Sequence, residues 1–178
     1  SKLTTLINRE IKHVKAGKKA EIFLKLNNLV DVDVIEKLYQ ASKAGVKIRL
    51  IIRGICSLVP GIAGVSENIE AISIVDKFLE HNRVFIFHNL GKPDLFIGSA
   101  DLMTRNLDHR IEIVMPIADE KIKKQLTQIM ELQWKDNVKA RVFNDAQSNF
   151  FRTRIATEKA IRSQDAIYDF WQDVAKKK

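Results

Sequence analysis

A strand–helix–strand pattern near the start of the chain constrains the fold more than any other feature. Residues 21–26 predict a strand that Asn27-Asn28 ends, and residues 46–52 predict a second strand rich in β-branched side chains. Between them lies a helix, capped by Asp31 or Asp33 and ended by Gly45, whose inward face consists of Val34, Ile35, Leu38 and Tyr39. Such a unit implies a right-handed crossover and a parallel strand pair.

The rest of the chain continues the alternation, so we expect an α/β fold with a mixed sheet. The predicted elements are a helix over 3–16, a strand or helical turn over 69–75, a helical turn over 76–80, strands over 83–87, 95–98 and 110–117, a helix from Asp119 to about Val138, an irregular segment over 144–153 and a last helix over about 158–174. The two late helices should pack through Ile122, Leu126, Ile129, Met130 and Leu132, and through Ile161, Ile167, Tyr168 and Trp171.

Composition narrows the functional classes. A hydrophobic share of 46% in 178 residues is too high for a disordered chain, and one cysteine excludes a disulfide framework or a multi-cysteine zinc site. No apolar run reaches the roughly 18 residues that span a bilayer. The first residue is Ser rather than Met, which indicates a piece of a longer protein. A net charge of +8, spread evenly, favours anionic partners or a solvated basic surface.

His81 is the histidine with the most suggestive surroundings. It opens a predicted strand as His81-Asn82-Arg83, and a second strand ends in Gly98-Ser99-Ala100-Asp101. This has the shape of the His-x-Lys … Gly-Ser-x-Asn signature of the phospholipase D superfamily, with Arg83 in place of Lys and Asp101 in place of Asn. In that signature the small Gly-Ser pair lets a phosphate approach closely. A structural histidine at a strand start is the alternative.

Arginines supply further phosphate-binding candidates. Arg53 ends a buried strand, where ligands of open α/β sheets bind, and its guanidinium can form a fork onto phosphate oxygens. A salt bridge to a carboxylate is the competing role. Arg105 and Arg110 are further candidates, and Asp101 and Asp108 could pair with them or hold a divalent cation.

Several long runs resemble the C-terminal part of bacterial polyphosphate kinase, and together they extend over nearly the whole chain. They are Leu24-Lys25-Leu26-Asn27-Asn28-Leu29-Val30-Asp31, Arg53-Gly54-Ile55-Cys56-Ser57-Leu58-Val59-Pro60, Ser66-Glu67-Asn68-Ile69, Ser73-Ile74-Val75-Asp76-Lys77-Phe78-Leu79-Glu80-His81, Gly98-Ser99-Ala100-Asp101-Leu102-Met103-Thr104-Arg105-Asn106, Asp136-Asn137-Val138-Lys139-Ala140-Arg141 and Ala166-Ile167-Tyr168-Asp169. His88, Leu90 and Leu102 depart from the residues common in that family.

The resemblance implies a phospholipase D-like mixed sheet flanked by helices, with a catalytic domain over 1–143 and a C-terminal loop and helix over 144–178. It implies reversible transfer of the terminal phosphate of ATP to inorganic polyphosphate, with Mg²⁺ accompanying ATP. The family's phosphorylated histidine lies in the preceding domain, in a His-Ala-Lys context that this sequence lacks. The chain therefore resembles the second C-terminal domain, and by itself we expect it to be inactive.

The resemblance also implies roles for individual residues and partners. His81 is the expected catalytic residue, and the expected ATP- or phosphate-binding residues are Arg53, His81, Arg83, Ser99 and Arg105. His81 would bind or protonate the leaving phosphate oxygen opposite the nucleophile. The expected partners are ATP or ADP, polyphosphate, the preceding domains of the full-length chain and further copies of the enzyme, without nucleic acid. The expected location is the cytoplasm, with peripheral membrane association left open.

Two other classes of function are compatible with the residues. One is a phospholipase D-type phosphodiesterase or nuclease that acts as a dimer and uses His81 twice. The other is a non-catalytic nucleic-acid binder, which the basic composition permits. Arg83 in place of Lys argues against the first, and the scarcity of aromatic residues for stacking argues against the second.

Overall fold

The fold begins with the predicted strand–helix–strand unit, preceded by one helix. A computed structural model of the chain describes residues 2–103, 112–146 and 148–176. Helix α1 spans Lys2–Lys15, β1 Glu21–Leu26, α2 Val32–Lys43 and β2 Lys47–Ile52. Asp31, rather than Asp33, caps α2, because its carboxylate accepts the Val34 amide at 3.0 Å.

Five more strands complete a seven-stranded mixed sheet. They are β3 Ile69–Ile74, β4 Arg83–Phe87, β5 Asp94–Gly98, β6 Val114–Pro116 and β7 Ala140–Phe143, with a 3₁₀ turn over Asn89–Gly91. The strand order is β6-β5-β4-β1-β2-β3-β7. Strands β1, β2 and β3 are parallel, and every other neighbouring pair is antiparallel. The mixed α/β class predicted from the sequence is confirmed.

The sheet buries a core on each face, because alternate residues of a strand point in opposite directions. Leu24 of β1 and Leu50 of β2 face the side covered by α1 and α2, whereas Phe23 and Ile51 face the other side. Helix α3, Glu120–Trp134, packs on that second core through Met130 and partly buried neighbours. Helix α4, Ser163–Lys176, contacts α3. None of the described helices is long and apolar enough to cross a bilayer.

Tertiary hydrogen bonds explain where the structure differs from the predicted elements. The expected helical turn over 76–80 is absent, because the Phe78 backbone bonds to Gln164 instead of to its own helix. Helix α3 ends before the expected Val138, since the Asp136 carboxylate accepts the amides of Val138, Lys139 and Ala140. The chain then enters β7, a strand that was not predicted.

Two predicted packing faces were also partly wrong. Ile122 of α3 is 45% exposed, and Tyr168 and Trp171 of α4 are 64% and 43% exposed, so none of the three docks its helix on a core. Helix α4 starts at Ser163 rather than near Glu158. A strand was expected over 110–117, and the structure has β6 over Val114–Pro116 in that range. Residues 110 and 111 lie outside the described part of the chain.

Candidate active site

Four predicted or adjacent residues lie at one edge of the sheet. Asn27 follows the last residue of β1, and Arg53 follows the last residue of β2, which pairs with β1 in parallel. His81 precedes β4 and Ser99 follows β5, and the first residue of β4 lies opposite the last residue of β5. Because β4 is antiparallel to β1, its beginning lies at the carboxyl edge of the parallel strands.

Arg53 and His81 are in direct contact. The Arg53 Nε donates to the Asn27 side-chain oxygen at 2.6 Å, and an Arg53 terminal nitrogen lies 2.9 Å from His81 Nδ1. A guanidinium can only donate, so Nδ1 must be the acceptor and the neutral ring carries its proton on Nε2. The imidazole is exposed, so Arg53 fixes its tautomer and orientation where ligands can reach it.

A buried ion pair lies beneath this contact. Arg83 donates to Asp101 through Nε at 3.2 Å and through a terminal nitrogen at 3.0 Å, and it also donates to the His81 backbone carbonyl at 2.9 Å. Asp101 accepts the backbone amides of Asn27 and Asn28 at 2.9 and 3.1 Å. The pair therefore ties the ends of β1 and β5 to the start of β4.

The pKa of the Asp101 carboxyl reflects this network. Burial raises the pKa, but the hydrogen bonds from Arg83, Asn28 and Asn27 stabilise the carboxylate and together hold its pKa below the usual range. Asp101 is therefore ionised at neutral pH and neutralises the buried Arg83 guanidinium. Arg83 thus uses Nε and both terminal nitrogens in contacts with Asp101 and the His81 carbonyl, whereas the sequence predicted that it binds phosphate.

A second buried pair supports the residue before His81. The Lys25 ammonium, in a residue only 4% exposed, donates to the Glu80 carboxylate. Burial lowers the pKa of Lys25, the Glu80 charge and hydrogen bond raise it, and the Arg53 cation lowers it again, with a net decrease. Gln133 and Gln164 also donate to Glu80, so three elements hold its side chain.

Two glycines permit close backbone contacts at this edge. A Cβ at Gly54 would lie 2.5 Å from the Asn28 side-chain oxygen, and a Cβ at Gly98 would lie 2.6 Å from the Ile113 backbone carbonyl. Glycine is thus required at position 98 because the backbone at Ile113 passes too close for a side chain. Its expected purpose, close approach of a phosphate, is not needed to explain it.

The remaining predicted residues have separate surroundings. Ser99 is exposed, accepts the Ile113 amide at 3.2 Å and donates to Glu112. Arg105 lies outside the described residues, as do Asp108 and Arg110.

Three described carboxylates near the site are already paired with cations. Asp101 pairs with Arg83, Glu80 with Lys25, and Asp76 with Arg162. Across 2–103, 112–146 and 148–176, no three His, Cys, Asp or Glu side chains form a group that could hold a metal ion. Among these described residues, a Mg²⁺ ion would therefore need the oxygens of a bound phosphate as its principal ligands.

Several supporting residues were not predicted as part of the site. Asn27, Lys25, Glu80 and Gln164 act through contacts between segments far apart in the chain. The one available signal was Lys25, a charged residue inside an otherwise apolar strand, which needs a buried partner. The identity of that partner could not be read from the sequence.

Known proteins with similar sequences cover nearly all of this chain. Residues 1–164 match the family model described as polyphosphate kinase C-terminal domain 2. A polyphosphate kinase of Vibrio vulnificus strain YJ016 is 56% identical over 99% of this chain and 25% of its own length. That of Escherichia coli K12 is 45% identical over 94% of this chain and 24% of its own length. The chain thus spans about a quarter of these relatives.

Solved structures show the same relationship. The polyphosphate kinase of Porphyromonas gingivalis superposes with a TM-score of 0.96 at 44% identity, over 99% of this chain and 27% of that one. Nuc from Salmonella typhimurium, a phospholipase D family member, superposes with a TM-score of 0.54 at 16% identity, over 78% and 90% of the two chains. The second likeness concerns the fold alone. The chain belongs to the family of polyphosphate kinase C-terminal domain 2.

Proposed function

We propose that this chain is the second C-terminal domain of an ATP:polyphosphate phosphotransferase, which reversibly moves the terminal phosphate of ATP onto inorganic polyphosphate. The family supports the reaction class. The observation that carries the site is the contact of 2.9 Å between Arg53 and His81 at the carboxyl edge of the sheet. Such edges are where open α/β sheets bind ligands.

The nucleophile in this proposal is a histidine of the preceding domain. One of its ring nitrogens forms a bond to the γ-phosphorus while the bond from phosphorus to the ADP oxygen breaks. A terminal oxygen of polyphosphate then attacks the phosphohistidine, and the N–P bond breaks. The displacement is in line, so the side of phosphorus opposite the nucleophile needs its own hydrogen-bond donors.

His81 supplies one such donor. Its Nε2–H group lies across the ring from Nδ1, which accepts from Arg53, and it can donate to the departing phosphate oxygen. Donation of the proton itself requires a doubly protonated ring, because a neutral imidazole that loses Nε2–H becomes an anion. While Nδ1 accepts from Arg53, His81 therefore acts as a hydrogen-bond donor to the departing oxygen.

The other predicted residues take distinct roles. Arg53 neutralises phosphate oxygens with the fork of its guanidinium. Arg83 holds the His81 backbone carbonyl and Asp101, so its role is to support the site. Ser99 is exposed at the same edge and contributes a hydroxyl, and Arg105 contributes a further cation according to the family resemblance alone.

Mg²⁺ would arrive with the nucleotide. ATP phosphates supply the oxygen ligands that Mg²⁺ prefers, and Glu80, Asp101 and Asp76 are engaged with cations. When bound, the ion would neutralise charge on the transferring phosphate. Homo-oligomerisation, a cytoplasmic location and peripheral membrane association remain predictions from the family resemblance.

The phosphodiesterase alternative needs both the histidine and the basic residue two positions later to contact phosphate. Arg83 is 8% exposed and forms two hydrogen bonds with Asp101, so it would have to break a buried pair. This disfavours the alternative. Hydrolysis of a phosphodiester by the full-length protein, without phosphate transfer to polyphosphate, would support it instead.

The test is His81→Ala in the full-length enzyme. We expect the rate of polyphosphate synthesis to fall by about 10²- to 10⁴-fold, the range of general acid–base help. The thermal midpoint should stay near that of the unmodified enzyme, because the side chain is exposed. Lys124→Ala, an exposed change on α3, is the control and should alter neither quantity. A His81→Ala enzyme that is destabilised but fully active per folded molecule would reject the assignment.

A further inference from the structure

The segment that carries His81 has little support of its own. Residues 75–80 form neither helix nor strand. Val75, Phe78 and Leu79 are 70%, 61% and 77% exposed, so burial of their side chains does not fix the backbone. A residue that must meet a phosphate within a few tenths of an ångström needs firmer support.

Beyond the contacts of Lys25 and Gln133 with Glu80, that support comes from the first turn of the last helix and the residue before it. Arg162 donates to both oxygens of Asp76, at 2.7 Å each. Gln164 accepts the Phe78 amide at 3.0 Å and donates to the Phe78 carbonyl at 2.8 Å. It also donates to Glu80 at 3.0 Å. Arg162 and Gln164 thus hold every second residue of the segment, namely Asp76, Phe78 and Glu80, and Glu80 directly precedes His81.

The holding residues are themselves fixed. The Ser163 amide donates to the Asp136 carboxylate at 2.7 Å, and Ser163 is fully buried. Asn137 and Ile161 exchange two hydrogen bonds, at 2.8 and 3.0 Å. The start of α4 is therefore locked to the end of α3, although most of the helix beyond it is exposed.

We propose that Gln164, assisted by Arg162, is a positioning residue for His81. Neither side chain touches the reacting atoms. They set the path of residues 76–80, and through it the place of the imidazole relative to Arg53. This rests on the function proposed for His81. A displacement of about 1 Å at a catalytic group can reduce the rate 10²-fold, so the effect should appear in kcat.

The test is Gln164→Met in the full-length enzyme, because Met keeps the length of the side chain and removes its hydrogen bonds. We expect kcat for polyphosphate synthesis to fall at least about tenfold, with KM for ATP changed less than threefold. Gln172→Met, on the exposed part of the same helix, is the matched control and should match the unmodified enzyme. Arg162→Gln, which loosens the hold on Asp76, should lower kcat in the same direction and serves as second variant if Gln164→Met does not fold.

A double-mutant cycle separates positioning from general damage. In a His81→Ala background, Gln164→Met should leave the residual rate of phosphate transfer from radiolabelled ATP unchanged, since the group that it positions is gone. A further fall equal to that of the single variant would overturn the proposal, as would a normal kcat for both Gln164→Met and Arg162→Gln. Full activity of His81→Ala would instead reject the proposed function of His81, so the two failures are distinguishable.

Discussion

At the scale of single residues, the Arg53 guanidinium has two proposed functions, which are to orient His81 and to bind phosphate. It holds Asn27 through Nε and His81 through one terminal nitrogen, and its other N–H groups can donate to a bound phosphate. Phosphate binding and the orientation of the imidazole are therefore linked through this side chain. Removing it should affect both the affinity for ATP and the chemical step.

We expect Arg53→Ala in the full-length enzyme to lower kcat/KM for ATP by about ten- to a hundredfold. The reason is the loss of charge-assisted hydrogen bonds, each worth about 1.5–3 kcal/mol. Steady-state kinetics with varied ATP measures the effect. Arg154→Ala is the control, because Arg154 is exposed and bonds only to a local carbonyl among the contacts described. Equal kinetics for the two variants would contradict the assignment.

The Asp101–Arg83 pair gives a prediction about stability. Asp101→Asn leaves a buried guanidinium without a countercharge, so we expect a loss of about 3–5 kcal/mol in the free energy of unfolding at pH 7. Urea denaturation of the chain measures it. Asp173→Asn, an exposed change on α4, should be neutral.

The same pair predicts a pH dependence. The pKa of Asp101 is lower in the folded state than in the unfolded state. Its contribution to the free energy of unfolding is therefore complete at any pH above the unfolded-state pKa of about 3.9. The contribution is lost as pH falls through the lowered folded-state pKa. The difference in the free energy of unfolding between the unmodified chain and the Asp101→Asn variant should therefore shrink in that acidic window. A difference that stays constant there would contradict this account.

At the scale of elements, one carboxylate organises three of them. Asp136 follows α3 and accepts the amides of Val138, Lys139 and Ala140, which leads the chain into β7. Its other oxygen accepts the Ser163 amide at the start of α4. Burial raises the pKa of Asp136, but these hydrogen bonds outweigh it and lower the pKa overall.

We expect Asp136→Ala to expose β7 and the start of α4 to local opening. Each buried amide that loses its acceptor costs about 1–3 kcal/mol. Hydrogen exchange at the amides of residues 138–140 and 163 should accelerate by at least about tenfold, whereas exchange in β1 should change less. Asp145→Ala, in an exposed turn, is the control. Unchanged protection of residue 163 would show that other contacts hold α4.

At the scale of the whole molecule, the chain has a core on each face of its sheet, but the proposed mechanism takes its nucleophile from a preceding domain. Both faces of the sheet are covered by helices, and the central strands are buried. We expect the isolated chain to fold cooperatively and to show no phosphate transfer with Mg²⁺, ATP and a polyphosphate primer. Circular dichroism melting and a radiolabel transfer assay measure the two properties. Turnover by a preparation free of full-length enzyme would reject the need for the preceding domain's histidine.

The sequence by itself determined the elements whose signals are local. The apolar strands 21–26 and 83–87 and the helix capped by Asp31 follow from periodicity and capping, which depend on neighbours a few residues apart. The places of Arg53 and His81 at strand ends followed in the same way. The assignment to the family came from long runs of sequence, since no single motif was specific enough.

Only the tertiary structure decided which distant groups meet. The hydrogen-bonding partners of Lys25, Arg83 and Phe78 lie 55, 18 and 86 residues away, and no local pattern specifies them. For this reason the helical turn expected over 76–80 was wrong, and the pairing of Arg83 with Asp101 could not be predicted from the sequence. A buried cation such as Lys25 or Arg83 takes the partner that the packed chain brings within about 3 Å, because an unpaired buried charge is costly in free energy.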